Sequence, residues 1–154
     1  MLPDVQLTAY EPEDAWAITP TEHAAALNEH LPNLKAAYEF YKAKGPAWTL
    51  RINGVLIGCA GLMLLDWPGV AHAWMLPSPA LAQHPKISLT LLRQKLEETI
   101  RTHQLVRIQA EVQTTFTTGR RFIESLGFEH EGDMRRFGPD GSTFSRYAWV
   151  RREP

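Results

Sequence analysis

Apolar residues along this chain recur with two periods, and the switches between them mark out its elements. Val5, Leu7 and Ala9 alternate with polar neighbours, the period of a strand with one buried face. Pro20 and Pro32 then divide the following stretch into helical pieces, because a proline disfavours helical geometry in the residue before it. Thr21 is placed to cap the second piece, and Lys35–Ala43 reads as another helix that closes at Gly45-Pro46, with Tyr38 and Tyr41 lining the core. Trp48, Leu50 and Ile52 alternate up to Asn53-Gly54, after which the apolar run VLIGCAGLMLL begins. Asn and Gly both accept positive φ, so the pair predicts a tight hairpin. Gly58 and Gly61 inside the second arm mark a bulge or a close backbone approach. Beyond the turn Trp67-Pro68-Gly69 comes a fourth strand to Pro77, then a loop, SPALAQHP. A helix follows from about Lys86 to His103, whose inward stripe is Leu89, Leu92, Leu96 and Ile100.

The stretch from Leu105 to Phe128 carries the most information. Val106, Ile108, Ala110 and Val112 recur at period two, then Phe122, Ile123 and Leu126 at helical spacing, and Gly127 supplies the cap. A sixth strand carries Arg135 and Arg136, read as solvent-facing charges, with contact to an acidic substrate as the other reading. The final hairpin turns at Pro139-Asp140-Gly141. Phe144, Arg146, Ala148 and Val150 share one face of the last strand, and Tyr147 and Trp149 the other. The order is strand, helices, three strands, helix, strand, helix, two strands: an α/β (α+β) chain with seven strands.

The chain has 154 residues, 44% of them hydrophobic, which is enough for one domain spanning 1–154 with its own core. A formal net charge of -1 offers no footprint for the phosphates of a nucleic acid. The single cysteine, Cys59, lies in an apolar run and reads as a buried thiol. No apolar stretch approaches the ~20 residues of a membrane span, and the first residues lack the pattern of a secretory signal. The expectation is a cytoplasmic protein with no membrane association and no metal site.

The segment LVRIQAEVQTTFTTGRRFIESLGF resembles the C-terminal half of the GCN5-related N-acetyltransferases (GNAT), where a strand, a short helix and Gly-Phe close the acyl-CoA cleft. Its continuation is similar to the ending of the subgroup that acetylates ribosomal-protein N-termini, in Gly127 and Phe128, Glu131 and Gly132, an arginine at 135 or 136, Gly141 and Tyr147. The resemblance covers nearly the whole chain. It implies a mixed, mostly antiparallel seven-stranded sheet with helices on both faces, splayed between strands 4 and 5. It also implies acetyl-CoA as co-substrate and a primary amine of a small molecule or peptide as acceptor. In that fold the pantetheine hydrogen-bonds along the fourth strand, here Trp74, Met75 and Leu76, and the amide near Leu76 faces the thioester oxygen.

The family cradles pyrophosphate with Gln or Arg, two residues, Gly, one residue, and Gly or Ala. Here Gln83 fits, but Lys86 and Ser88 stand at the small positions, around Ile87, and Pro85 removes an amide. Lys86 adds a cation, and the amides of Lys86 to Ser88 remain as the anion-binding group; without a ligand the segment is simply a helix start. Phe116 occupies the position of a frequent family Asn, and Ile123 that of the Tyr that protonates the departing thiolate.

Direct acyl transfer needs a proton acceptor for the attacking amine. His72, a titratable side chain inside the fourth strand, is one candidate and a structural histidine the alternative. Glu111, on the face opposite Ala110 and Val112, is the other candidate, with plain solvation as its simpler reading. A competing reading is a catalytically degenerate GNAT-like protein with a virion-associated or acyl-CoA-sensing role, since ITPTEHAAALNEH and the C-terminal stretch also resemble a small phage-encoded group. A homodimer through the last strand is expected as an option.

Overall fold

A computed structural model describes residues 2–153. Its elements are β1 (Val5–Ala9), α1 (Pro12–Ala17), α2 (Glu22–Asn28), α3 (Leu34–Lys44), β2 (Ala47–Ile52), β3 (Val55–Leu64), β4 (Val70–Pro77), α4 (Pro85–His103), β5 (Arg107–Gln113), α5 (Thr117–Ser125), β6 (Glu129–Met134) and β7 (Phe144–Val150). The seven strands form one sheet in the order β1-β2-β3-β4-β5-β7-β6. The β4–β5 pairing is parallel and runs from Val70↔Arg107 to His72↔Gln109. The pairs β1–β2, β2–β3, β5–β7 and β6–β7 are antiparallel. Element order and sheet type therefore follow the reading of the sequence.

The chain divides into two compact units, and it passes from one to the other within β4 and again within α4. One unit takes the chain up to Met63 together with Trp74–Ser88, and the other takes Leu64–Ala73 and the chain from Leu89 onward.

In the first unit, Asn53 and Gly54 turn the β2–β3 hairpin with φ of 52° and 77°. The Asn53 side chain also accepts from the Asp4 amide at 2.9 Å, which ties β1 to the hairpin. The β2–β3 register shifts between Leu50 and Arg51, opposite Gly58 and Leu56. A Cβ on Gly58 would sit 2.8 Å from the Leu76 carbonyl oxygen, and one on Gly61 2.5 Å from the Ala47 Cβ. Both predicted uses of glycine, the irregularity and the close approach, are present. Thr21 caps α2 by accepting from the Ala24 amide. Tyr10, Ala15, Tyr38, Cys59 and Trp74 form the buried core, with Tyr41 packed against it.

In the second unit, Ile108 and Tyr147 are fully buried where β5 meets β7. Gly127, at φ 93°, ends α5 as the left-handed residue that such a cap requires, and its amide donates to Glu124.

Three expectations fail. The stretch after Pro77 is not wholly loop, since Pro79–Gln83 winds into a 3-10 turn entered at a proline. Val106 lies outside β5 and is exposed, its carbonyl accepting from Arg151 and its amide donating to Gly69. Arg135 and Arg136 lie past the end of β6, where Arg136 takes φ 60°; the run Gly-Asp-Met-Arg-Arg has no apolar alternation to extend the strand.

Candidate functional site

On β5 the residues Arg107, Gln109, Glu111 and Gln113 alternate with the buried Ile108 and Ala110. Alternation places them on one face, and the structure shows that face engaged. Arg107 grips Glu131 through two nitrogens, at 2.9 and 2.6 Å, and its Nε donates to Gln109 at 3.1 Å. Gln113 donates to the Ser142 hydroxyl at 3.2 Å.

Glu111 is the centre of this face. Its side chain is 8% exposed, so the solvated reading of Glu111 is wrong. One carboxylate oxygen meets Nε2 of His72 and the other an Arg146 nitrogen at 3.5 Å. The two sequence candidates, His72 and Glu111, are thus one pair across the β4–β5 ladder, reached through the parallel register His72↔Gln109. His72 is 28% exposed. A carboxylate can only accept, so the nitrogen that faces it carries a proton, and in the neutral imidazole Nδ1 is then the nitrogen with the lone pair. Nδ1 has no hydrogen-bond partner among the described residues.

Arg146 was not singled out in the sequence as a site residue. The available signal is an arginine among the apolar residues Phe144, Ala148 and Val150 of one strand face; the structure leaves its side chain 37% exposed with Nε buried. Its Nε and the Trp74 Nε1 are the two buried side-chain polar atoms without a partner among the described residues.

The cofactor candidates lie in the first unit, Phe116 excepted. Trp74 is buried, stacked on Tyr41 with ring centroids 4.2 Å apart and meeting the Tyr10 ring edge-on at 5.1 Å. Leu76 packs against the same core, and Met75 is half-buried. Burial pushes the Tyr41 hydroxyl above its ordinary range, with neighbouring Tyr38 adding to the effect. Gln83 closes the 3-10 turn and Pro85 opens α4. The first helical hydrogen bond is from the Ser88 amide to His84 at 3.2 Å, and the Ser88 hydroxyl donates to the same carbonyl at 2.7 Å. Ser88 is buried and committed to its own helix. The amides of Lys86 and Ile87 precede that first bond, beside an exposed Lys86 ammonium. Phe116, in the second unit, precedes α5, and its ring fills the space above Gly119, where a Cβ would come within 2.6 Å.

No helix among the described residues is long and apolar enough to cross a membrane.

No protein-family model matches the chain, and no curated protein does. Among solved structures it is similar to a GNAT-family acetyltransferase from Bacillus anthracis, at 14% identity and a TM-score of 0.71, over 95% of this chain and 94% of that one. A putative acetyltransferase from Acinetobacter baylyi aligns over 100% of this chain and 97% of its own, at 12% identity and a TM-score of 0.69. A mutant of spermidine N-acetyltransferase from Vibrio cholerae aligns over 94% of each chain, at 16% identity and a TM-score of 0.67. The chain has the GNAT fold.

Proposed function

We propose that this chain is an acetyl-CoA-dependent N-acetyltransferase acting on a primary amine of a small molecule or peptide. The observation that carries the reading is His72, held through Nε2 by the Glu111 carboxylate with Nδ1 left bare. Such an imidazole is a proton acceptor of fixed orientation. In the reaction the amine nitrogen attacks the thioester carbonyl, the new C–N bond forms, the amine proton passes to His72 Nδ1, and the C–S bond breaks to release the thiolate. A thiolate is a good leaving group at neutral pH, so the absence of a family Tyr at Ile123 does not stop the step.

The first turn of α4 supplies the chemistry an anionic phosphate requires: two amides free of helical bonds, at Lys86 and Ile87, and the Lys86 ammonium. Ser88 takes no part, because its amide and hydroxyl both serve His84. The helices between Pro12 and Lys44 present the exposed Trp16, edge-on to the buried Tyr38 at 5.0 Å, as a candidate for an acceptor wall.

Titrating the protein with acetyl-CoA while following its melting temperature tests the reading. A ligand bound only by the folded chain adds about 2.7 kcal/mol at a hundredfold excess over Kd. Saturable stabilisation, followed by CoA thiol release that depends on an added primary amine, is the expected result. No shift at millimolar acetyl-CoA ends the proposal. Stabilisation without amine-dependent release replaces it with an acyl-CoA sensor.

A further inference from the structure

Three strands that are neighbours in the sheet, β4, β5 and β7, each contribute one member of a line of charge: His72, Glu111 and Arg146. Glu111 and Arg146 are register partners, directly opposite one another across β5 and β7. On its other flank Arg146 faces Gly132 of β6, which has no side chain, at a point where the register skips Glu131. Glu131 is itself occupied by the two-nitrogen grip of Arg107. The geometry therefore turns the Arg146 guanidinium toward Glu111.

We infer that Arg146 is a positioning residue for the proton acceptor: it contacts one oxygen of Glu111, so that the other accepts the hydrogen bond of the His72 Nε2–H and Nδ1 is left as the lone-pair nitrogen. The catalytic consequence rests on the transferase reading, whereas the positioning does not. An imidazole has two neutral tautomers, and the hydrogen bond at one nitrogen selects which is populated. A carboxylate free to rotate selects weakly. One held at its far oxygen as well, here by an Arg146 nitrogen at 3.5 Å from a side chain that is 37% exposed, keeps its near oxygen on Nε2.

The orphaned Nε supports this assignment. A guanidinium serving stability alone is expected to grip a carboxylate at two points, as Arg107 does with Glu131. Arg146 instead makes one contact at 3.5 Å and keeps a buried N–H without an acceptor.

The test is nuclear magnetic resonance on the free, 15N-histidine-labelled protein at neutral pH, combined with the transferase assay. A hydrogen-bonded Nε2 proton on His72 gives a far-downfield resonance, identified by its loss in His72→Gln. It is expected to persist in the wild type and in Arg146→Lys. In Arg146→Gln it broadens by exchange, and the two ring-nitrogen shifts move toward a tautomer average. In the assay, kcat of Arg146→Gln falls roughly tenfold or more, the scale on which lost orientation slows a reaction; KM for acetyl-CoA is unchanged, and Arg146→Lys restores most of the rate. Should Arg146→Gln fail to fold, Arg146→Met, which keeps the stem, reads the same resonance. An absent wild-type resonance, or one that Arg146→Gln leaves with both nitrogen shifts in place, overturns the inference. A resonance that depends on Arg146 in a protein that releases no CoA upholds the positioning and overturns the transferase reading instead.

Discussion

Replacing Asp14 with Ala is expected to cost about 3 kcal/mol. Asp14, in α1, accepts three hydrogen bonds: two from β2, the Thr49 hydroxyl at 2.7 Å and an Arg51 nitrogen at 3.0 Å, and one from the Glu11 amide at the start of its own helix at 3.1 Å. These contributions are unequal. Thr49 is 0% exposed, so its bond to a charged acceptor counts at close to the ~1.5–3 kcal/mol typical of such bonds. Arg51 is 32% exposed and keeps much of its hydration without Asp14, so its share falls to the ~0.5 kcal/mol of a screened pair. The Glu11 amide is the N-cap donor that Asp14 satisfies from the third helical position, and losing such a cap costs about 1 kcal/mol. For a chain of this length each kcal/mol lowers the melting temperature by roughly 2–4 °C, so Asp14→Ala should melt some ~6–12 °C below wild type. Asp14→Asn keeps an oxygen for Thr49 and should lose about half as much.

The same residue gives a pH signature. Burial pushes the Asp14 carboxyl up, but the hydrogen bonds from Thr49, Glu11 and Arg51, together with the Arg51 charge, outweigh it and hold the group below its ordinary range. A carboxyl depressed in the folded state stabilises above its unfolded value and loses that contribution as the pH falls through the folded one. The gap between wild type and Asp14→Asn should therefore be level from pH 7 down to about 5 and close below about 4. Melting followed by circular dichroism in both variants measures it. A wild-type melting temperature retained by Asp14→Ala at pH 7, or a gap undiminished at about pH 2, refutes the reasoning.

His72→Gln should lower amine-dependent CoA release by roughly 100-fold or more with little change in melting temperature; unchanged turnover would return His72 to a structural role. Cys59, whose thiol is pushed up to about 11 chiefly by burial against the opposing Thr49 hydrogen bond, should resist a disulfide reagent at pH 8 in the native protein and react fully in urea. Rapid labelling of the native chain contradicts that assignment.

What was legible in the sequence was local. The Asn53-Gly54 turn, the Thr21 cap, the Gly127 stop and the inward turn of Ile108 and Ala110 on β5 depend on residues within a few positions of one another, and each is present as read. The misplacements have a common origin in segments where local pattern is weak. Arg135 and Arg136 extend no apolar alternation, and period two alone groups Val106 with Ile108 and Ala110, although its backbone pairs with Gly69 and Arg151 outside the strand. Ser88 stands, by the family resemblance, at a small position of the phosphate cradle, where its amide and hydroxyl are candidate donors. Its spacing of four from His84 lets it bond back to that carbonyl instead, a competition typical of Ser in a first turn.

The candidate site shows the limit of local reading most clearly. Period two specifies which face of β5 Glu111 occupies, but not what lies beside it on that face. That depends on two ladders: a parallel one that aligns His72 with Gln109, and an antiparallel one that sets Arg146 against Glu111. His72 lies 39 residues before Glu111 and Arg146 35 after it, so no window of sequence contains the constellation. A polar residue on a strand face is ambiguous between solvation and partnership, and burial decides between them. At 8% exposure an unpaired carboxylate would be costly, so the burial of Glu111 itself requires hydrogen-bond donors at its oxygens. The charged residue placed opposite it in the register is Arg146, which makes the arginine part of the same chemical unit as the histidine and not an incidental surface charge on the last strand.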